Sequence, residues 1–250
     1  MKDYIPRLRM FAGPNGSGKS TLKSVLRSEL WGVYINPDEI EKEIGRFDFL
    51  DFDHYDLRVD KEEVLRYFLE SPLIEKADLE IEAMELRFTD NKLSFHNSGV
   101  NSYFASIAAD FIRQKLLLTG RSFSFETVMS SPDKIAFLRK AQARGYRTYL
   151  YYIATEDPAI NISRVQHRVR MGGHPVPSDK IVSRYARSLA LLDEAIRYSH
   201  RAYIFDNSAH EWVWLAEITH GKDLELHCEQ LPQWFQIAVW DKFSEQAEDV

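Results

Sequence analysis

The fold class can be inferred from one glycine-rich segment, Phe11-Ala12-Gly13-Pro14-Asn15-Gly16-Ser17-Gly18-Lys19-Ser20-Thr21. Residues 13–20 fit the pattern G-x-x-x-x-G-K-S without a gap. An apolar run at residues 7–12 precedes them and predicts a strand. Residues 19–30 predict a helix with Leu22, Val25 and Leu26 on one face. Strand, glycine loop and helix in this order are the setting in which the pattern binds phosphate.

The loop itself predicts a nucleotide site. Its inward main-chain N–H groups and the start of the following helix favour an anionic phosphate. Lys19 is expected to reach the β and γ phosphates, and Ser20 to offer its hydroxyl to Mg²⁺. ATP with Mg²⁺ is the predicted cofactor. The candidate binding residues are Gly13, Pro14, Asn15, Gly16, Ser17, Gly18, Lys19, Ser20 and Thr21.

Outward from the loop, predicted strands alternate with predicted helices. The strands are expected at residues 7–12, 32–35, 122–125, 146–154 and 202–205. The helices are expected at residues 19–30, 37 onward, 101–118, 132–144, 158–171, 178–198 and 231–243. Hairpins are expected at 85–95, around Asp90-Asn91, and at 212–228. This order predicts an α/β fold, a P-loop three-layer sandwich with a mainly parallel sheet and a C-terminal hairpin plus helix.

The chain of 250 residues fits one elaborated domain. We expect a single P-loop kinase-like domain over 1–250, carrying an acidic, helical insertion at 46–100, a basic lid-like segment at 160–187 and a C-terminal extension at 209–250. The net charge of -6 and the pI of about 5.8 make nucleic acid an unlikely partner. Cys228, the single cysteine, excludes an internal disulfide. No apolar run reaches the ~18 residues of a membrane helix, so we expect a cytoplasmic protein without a membrane partner.

Two acidic residues follow predicted strands near the loop. Asp38 comes after the second strand and Glu126 ends the third, where parallel sheets place functional groups. A kinase needs a base near the acceptor hydroxyl. Asp38 could accept that proton or stabilise a helix start. Glu126 could hold the substrate or a magnesium-bound water, or serve as a helix N-terminal carboxylate, and Thr127 is a weaker candidate for a hydroxyl contact.

Residues 160–187 carry six Lys and Arg and one acid. Arg164 and Arg168 are four residues apart and share a helix face. Arg184 and Arg187 are three apart on the next predicted helix. A connector at 172–177 joins the two helices. This arrangement favours a lid over phosphates, for which arginine is suited. The alternative is a solvated face with helix salt bridges.

Together, the segments FAGPNGSGKST, INPDEI, SFSFETVMSS, GYRTYLYYIA, RVQHRVRMGGHPVPSDKIVSRYARSL and IFDNS resemble the zeta-toxin-like P-loop kinases, in particular the branch described as predicted ATPases. The resemblance covers residues 7–208 apart from the insertion. It implies ATP-dependent phosphorylation of a hydroxyl on UDP-N-acetylglucosamine and control by an antitoxin protein. It also implies that Lys19 and Ser20 hold phosphate and magnesium, that Asp38 is the base, that Glu126 binds the sugar, and that Arg164 or Arg168 stabilises phosphate.

The chain departs from the family pattern next to Glu126. The family has Glu-Gly-Thr where this chain has Glu126-Thr127-Val128, and Ser130 replaces the following arginine. The acceptor therefore stays open between UDP-N-acetylglucosamine and another small molecule, such as a nucleoside or an antibiotic. A P-loop ATPase module without an acceptor is a further alternative, although Asp206-Asn207 lacks the paired acids that such modules carry.

Overall fold

The computed structural model describes residues 4–23, 26–99 and 101–248, with side chains up to residue 244. Val25, assigned from the sequence to the first helix, and residue 100, the end of the predicted insertion, lie outside these ranges. The strands are β1 (Arg7–Ala12), β2 (Val33–Ile35), β3 (Phe49–Asp51), β4 (Arg87–Thr89), β5 (Lys92–Ser94), β6 (Phe123–Thr127), β7 (Arg147–Ala154), β8 (Arg201–Asp206), β9 (Val213–Thr219) and β10 (Asp223–Leu226).

The α-helices are α1 (Lys19–Leu22), α2 (Pro37–Phe47), α3 (Lys61–Leu69), α4 (Pro72–Lys76), α5 (Glu80–Met84), α6 (Ser102–Thr119), α7 (Asp133–Ala143), α8 (Pro158–Arg170), α9 (Ser178–Ala190), α10 (Leu192–Arg197), α11 (Gln233–Phe235) and α12 (Asp241–Glu248). Two 3₁₀ segments, Ser28–Leu30 and Phe52–Tyr55, and a π-helical segment, Gln236–Trp240, complete the described elements.

The chain divides into two compact units. The first unit comprises Met1–Trp31 and Glu126–Val250, and the second comprises Gly32–Phe125. In the first unit, five strands follow the order β10-β9-β8-β7-β1. Strands β1, β7 and β8 run parallel, with Arg7 opposite Arg147 and Tyr149 opposite Arg201. Strands β9 and β10 add an antiparallel hairpin at the edge.

Burial explains why β1 and β7 read as nearly continuous apolar runs. Every residue of β1 after Arg7 is buried, and so are the last five residues of β7. Strands that are covered on both faces have this pattern. The carboxyl end of β1 then leads directly into the glycine loop at residues 13–18.

The second unit has its own core. Strand β2 pairs in parallel with β6, with Val33 opposite Phe123, and β3, β5 and β4 form a small antiparallel sheet in that order. The β4–β5 turn contains Asp90 and Asn91 with φ values of 51° and 62°, as tight hairpin turns of this kind require. Packed against these strands is an aromatic cluster in which Phe52 contacts Phe111 edge-to-face.

The predicted fold class is confirmed. The protein is a mixed α/β structure with a mostly parallel central sheet and a C-terminal antiparallel hairpin followed by helix. Asn36 caps α2, and the 85–95 and 212–228 hairpins form as predicted. Strand β6 runs one residue beyond Glu126, to Thr127.

Three helix predictions were wrong in extent. The helix predicted at 19–30 ends at Leu22, and Arg27, with an extended ψ of 140°, precedes a separate 3₁₀ segment at Ser28–Leu30. The helix predicted at 178–198 is divided into α9 and α10 at Leu191. The terminal helix contains a π-helical turn. In the described part of the chain, no helix is both long enough and apolar enough to span a bilayer.

Candidate active site

The phosphate loop joins β1 to α1 within the first unit. Gly18 stands at the N-cap of α1 with a φ of 103°, in the left-handed region that favours glycine. Gly16 has a φ of 76°. Both glycines are also closely approached by other segments of the unit, so a side chain at either position would overlap neighbouring atoms. The loop conformation therefore depends on these two glycines.

Lys19 folds back over its own loop. Its Nζ donates to the main-chain oxygens of Gly13 and Pro14, at 2.8 Å each. The ammonium group is thus held against the main chain at the start of the loop. A cation in this position is suited to pair with phosphate oxygens.

Ser20 and Glu126 meet beside the loop. The Ser20 hydroxyl lies 3.3 Å from Oε2 of Glu126, whose side chain is only 7% exposed. A hydroxyl and a carboxylate are the oxygen ligands that Mg²⁺ prefers. Together with the Lys19 ammonium they form a donor set that fits a magnesium-bound polyphosphate. The role of Glu126, as a substrate ligand or as the holder of a magnesium-bound water, remains a prediction.

Two asparagine side chains each donate a hydrogen bond to a main-chain oxygen of the loop. Asn161, in the first turns of α8, is fully buried and donates from Nδ2 to the main-chain oxygen of Asn15 at 2.6 Å. Asn207, directly after β8, donates from Nδ2 to the main-chain oxygen of Ser17 at 2.8 Å. A main-chain carbonyl only accepts, so the donor in each pair is the amide nitrogen. Sequence reasoning did not select either residue for this role.

The predicted lid arginines lie at different places around this loop. Arg164 donates to the main-chain oxygens of Asn207 at 2.8 Å and Ala209 at 3.2 Å. Arg184 reaches Oδ1 of Asn15 at 3.4 Å. In contrast, Arg168 donates to the carbonyl of His174 at 3.4 Å, in the connector between α8 and α9. Arg184 thus contacts the loop itself, and Arg164 contacts the segment that follows β8.

Helix α9 is fixed by buried polar contacts. The Tyr185 hydroxyl donates to the Thr155 carbonyl at 2.6 Å, and burial raises the pKa of Tyr185, so the hydroxyl stays protonated as a donor. Ser188 donates to the Val128 carbonyl at 2.8 Å. Thr155 in turn donates its hydroxyl to Oδ1 of Asn161. The position of α9 is thereby linked to the residue that holds the loop.

Asp206, at the end of β8, is committed to structural hydrogen bonds. Its Oδ1 accepts from Nε1 of Trp234 and from the hydroxyl of Ser208, and its Oδ2 accepts from the Ser208 amide, all at 2.8 Å. Asp206 is only 8% exposed. Because this carboxylate already accepts three hydrogen bonds from the protein, Asp206 serves the packing of its surroundings, unlike an acid at a strand end that faces a nucleotide.

The remaining predicted site residues are placed as follows. Asp38, in the second unit, lies in the first turn of α2, is exposed, and its amide donates to Oδ1 of Asn36 at 2.9 Å. Thr127, in the first unit, accepts from the amide of Met129 at 3.0 Å. The roles of base for Asp38 and of acceptor contact for Thr127 remain predictions.

The sequence pattern of the zeta toxin family matches residues 85–218, which is more than half of the chain. The chain belongs to the zeta toxin family. The matched segment contains Glu126, Asn161, Arg164, Arg184 and Asn207, whereas the phosphate loop precedes it. A Haemophilus influenzae (strain Rd) protein described as uncharacterized is 26% identical over 175 residues, covering 70% of this chain and 89% of the relative.

Solved structures share the fold of this zeta toxin family member. The AvrRxo1-ORF1:ORF2 complex with ATP superposes with a TM-score of 0.55 at 14% identity. That match covers 99% of this chain, and the chain spans 64% of the length of its counterpart. The PezAT toxin–antitoxin system of Streptococcus pneumoniae superposes with a TM-score of 0.50 at 16% identity, covering 100% of this chain and 90% of the other.

Proposed function

We propose that the protein is an ATP-dependent phosphotransferase that moves the γ-phosphoryl group of ATP to a hydroxyl of a small molecule. The observation that carries the proposal is the arrangement of Lys19, Ser20 and Glu126 beside the glycine loop. Phosphoryl transfer is catalysed mainly by positioning and by charge stabilisation, which is what such a donor set supplies. Membership of the zeta toxin family supports the same reaction class.

In this proposal Lys19 binds the β and γ phosphates, and Ser20 and Glu126 hold Mg²⁺, Glu126 directly or through water. When bound, the metal supplies positive charge that offsets the negative charge of the phosphates. Arg184, which contacts Asn15 in the loop, and Arg164, which contacts the segment after β8, are proposed to stabilise the phosphates. Arg168, which donates to the His174 carbonyl in the connector, is a further candidate for the same role.

Asp38 is the proposed base, by resemblance to the family. UDP-N-acetylglucosamine is the first acceptor to test, and a nucleoside or an antibiotic follows. An antitoxin protein is a proposed partner, since the PezAT structure is of a toxin–antitoxin system. ATP as the donor is in keeping with the ATP complex of AvrRxo1.

The test is transfer of label from γ-³²P-ATP to UDP-N-acetylglucosamine and to a panel of nucleosides and aminoglycosides, with products identified by mass spectrometry. We expect one labelled product that carries one added phosphoryl group. Release of labelled phosphate without any labelled acceptor would favour the ATPase alternative. Absence of both activities in folded protein would refute the proposal.

Matched variants assign the roles. Lys19→Met is expected to lower transfer about a hundredfold to a thousandfold, as for loss of a donor at the transferring group. Lys23→Met, whose ammonium lies over the ring of Trp31, is the control. Asp38→Asn is compared with Asp133→Asn, which also removes a carboxylate from a first helical turn. If the two Asp variants transfer label equally well, Asp38 is not the base.

A further inference from the structure

Asn161 and Asn207 each bind one main-chain carbonyl of the phosphate loop, and these carbonyls belong to alternate peptides. Asn161 binds the carbonyl of Asn15, which shares its peptide plane with the N–H of Gly16. Asn207 binds the carbonyl of Ser17, which shares its plane with the N–H of Gly18. The two asparagines come from different segments, one after β7 and one after β8.

Because a peptide is planar, a contact that fixes its carbonyl also fixes the direction of its N–H. In a planar trans peptide the C=O and N–H bonds point in opposite directions. A side chain that holds the carbonyl on one side therefore directs the N–H of the same plane to the other side. By this argument, the amides of Gly16 and Gly18 point away from Asn161 and Asn207. Rotation of either peptide would break a hydrogen bond to a main-chain oxygen.

The glycines after the held carbonyls make the contacts sterically possible. A Cβ at Gly16 would lie 2.6 Å from the main-chain oxygen of Asn161. A Cβ at Gly18 would overlap Nδ2 of Asn207, the atom that binds Ser17. Each glycine thus leaves room for the segment that fixes its own peptide. Twice in this loop, therefore, a carbonyl that accepts from an asparagine is followed by a glycine whose missing side chain leaves room for that contact.

The Asn161 amide is itself held in one orientation. Its Oδ1 accepts from the Thr155 hydroxyl, and the side chain is fully buried. For Asn207, the main-chain oxygen accepts from Arg164. The side-chain amide of Asn161 and the main chain of Asn207 are therefore each held by a hydrogen bond besides the one to the loop. Pre-organisation of this kind is required of groups that position donors for a charged ligand.

We propose that Asn161 and Asn207 are positioning residues that aim the Gly16 and Gly18 amides at the phosphate groups of the nucleotide. This inference rests on the proposed function for its ligand, and on the loop geometry for its mechanism. It assigns the two asparagines a role in nucleotide affinity rather than in chemistry at the acceptor.

The first test is the affinity of Asn161→Asp and Asn207→Asp for MgATP, measured by calorimetry. Aspartate has nearly the same shape as asparagine but cannot donate to a carbonyl. We expect each substitution to weaken binding about tenfold to a hundredfold, the range for loss of a hydrogen bond to a charged group. Asn101→Asp is the matched control, because Asn101 accepts from the amides of Tyr103 and Phe104, and a carboxylate can do the same.

The second test reads the peptides directly by NMR, without nucleotide. Asn15-Gly16 is the single Asn-Gly pair in the chain, so carbonyl-¹³C asparagine combined with ¹⁵N-glycine selects the Gly16 amide. Ser-Gly occurs at 17–18 and 98–99, so carbonyl-¹³C serine combined with ¹⁵N-glycine selects the Gly18 and Gly99 amides. We expect Asn161→Asp to shift the Gly16 signal most and Asn207→Asp to shift the Gly18 signal most. The Gly99 signal serves as the internal reference.

The outcomes separate the two proposals. If the wild type does not bind MgATP, the proposed function fails, whereas the glycine signals still test the orienting role. If the wild type binds and both variants bind like Asn101→Asp, the positioning role is overturned. Equal shifts at Gly16, Gly18 and Gly99 would also overturn it. Should buried Asn161→Asp fail to fold, the partly exposed Asn207 provides the same comparison.

Discussion

Trp234 and Asp206 form a buried hydrogen bond that ties the C-terminal helices to the end of β8. The Trp234 indole N–H donates to Oδ1 of Asp206 at 2.8 Å, and the two residues are 4% and 8% exposed. Trp234→Phe removes the donor and keeps an aromatic ring. Loss of a hydrogen bond to a charged group costs about 1.5–3 kcal/mol. The smaller ring leaves a gap that adds roughly 1 kcal/mol.

The sum of about 2.5–4 kcal/mol should be visible in thermal unfolding. For a chain of this size, 1 kcal/mol corresponds to roughly 2–4 °C in Tm, so we expect a decrease of roughly 5–16 °C. Calorimetry of Trp234→Phe beside Trp240→Phe makes the measurement, because Trp240 is 37% exposed and carries the same substitution. Equal Tm values for the two variants would refute the assigned strength of the Trp234–Asp206 bond.

Three further predictions address the metal, the second unit and pH. In EDTA, Ser20→Ala should bind ATP as tightly as the wild type. The factor by which Mg²⁺ raises ATP affinity should be at least about tenfold smaller in the variant than in the wild type. If this factor is the same in both proteins, Ser20 does not bind the metal. Asn91→Ala should lower the free energy of unfolding in urea by about 2–4 kcal/mol, because Nδ2 of Asn91 binds the Leu57 carbonyl and φ at Asn91 is 62°; a loss below about 1 kcal/mol would contradict this. Burial lowers the pKa of His200 from its ordinary value of 6.5, and Nδ1 accepts from the Thr148 amide, so the folded state binds a proton more weakly than the unfolded chain. The free energy of unfolding should therefore fall as the pH drops through 6.5, and His200→Gln should show a shallower fall across the same range.

Local signals predicted the framework of the fold well. Strand β1 has the bounds that its apolar run indicates, and the Asp90-Asn91 turn joins β4 and β5 as residues that accept positive φ should. Asn36 followed by Pro37 marked the start of α2. In each case the deciding interactions lie within a few residues of the signal, so a short window of sequence contains them.

Other features depend on interactions that a local window does not contain. The apolar positions after Lys19 suggested a long helix, but the chain turns to an extended conformation at Arg27. Asn161 lies in the first turns of a helix and Asn207 follows a strand, where asparagine usually satisfies local amides. Their hydrogen bonds to the loop span 146 and 190 residues. No periodicity or propensity indicates contacts over such separations.

The same separations govern when the nucleotide site can form during synthesis. The ribosome synthesises the glycine loop at residues 13–20 well before it adds residues 161 and 207. A nascent chain that stops before residue 207 lacks the side chain that donates to the Ser17 carbonyl. Translation products that stop before residue 207 should therefore bind ATP less tightly than chains that contain it, because they lack the donor to the Ser17 carbonyl.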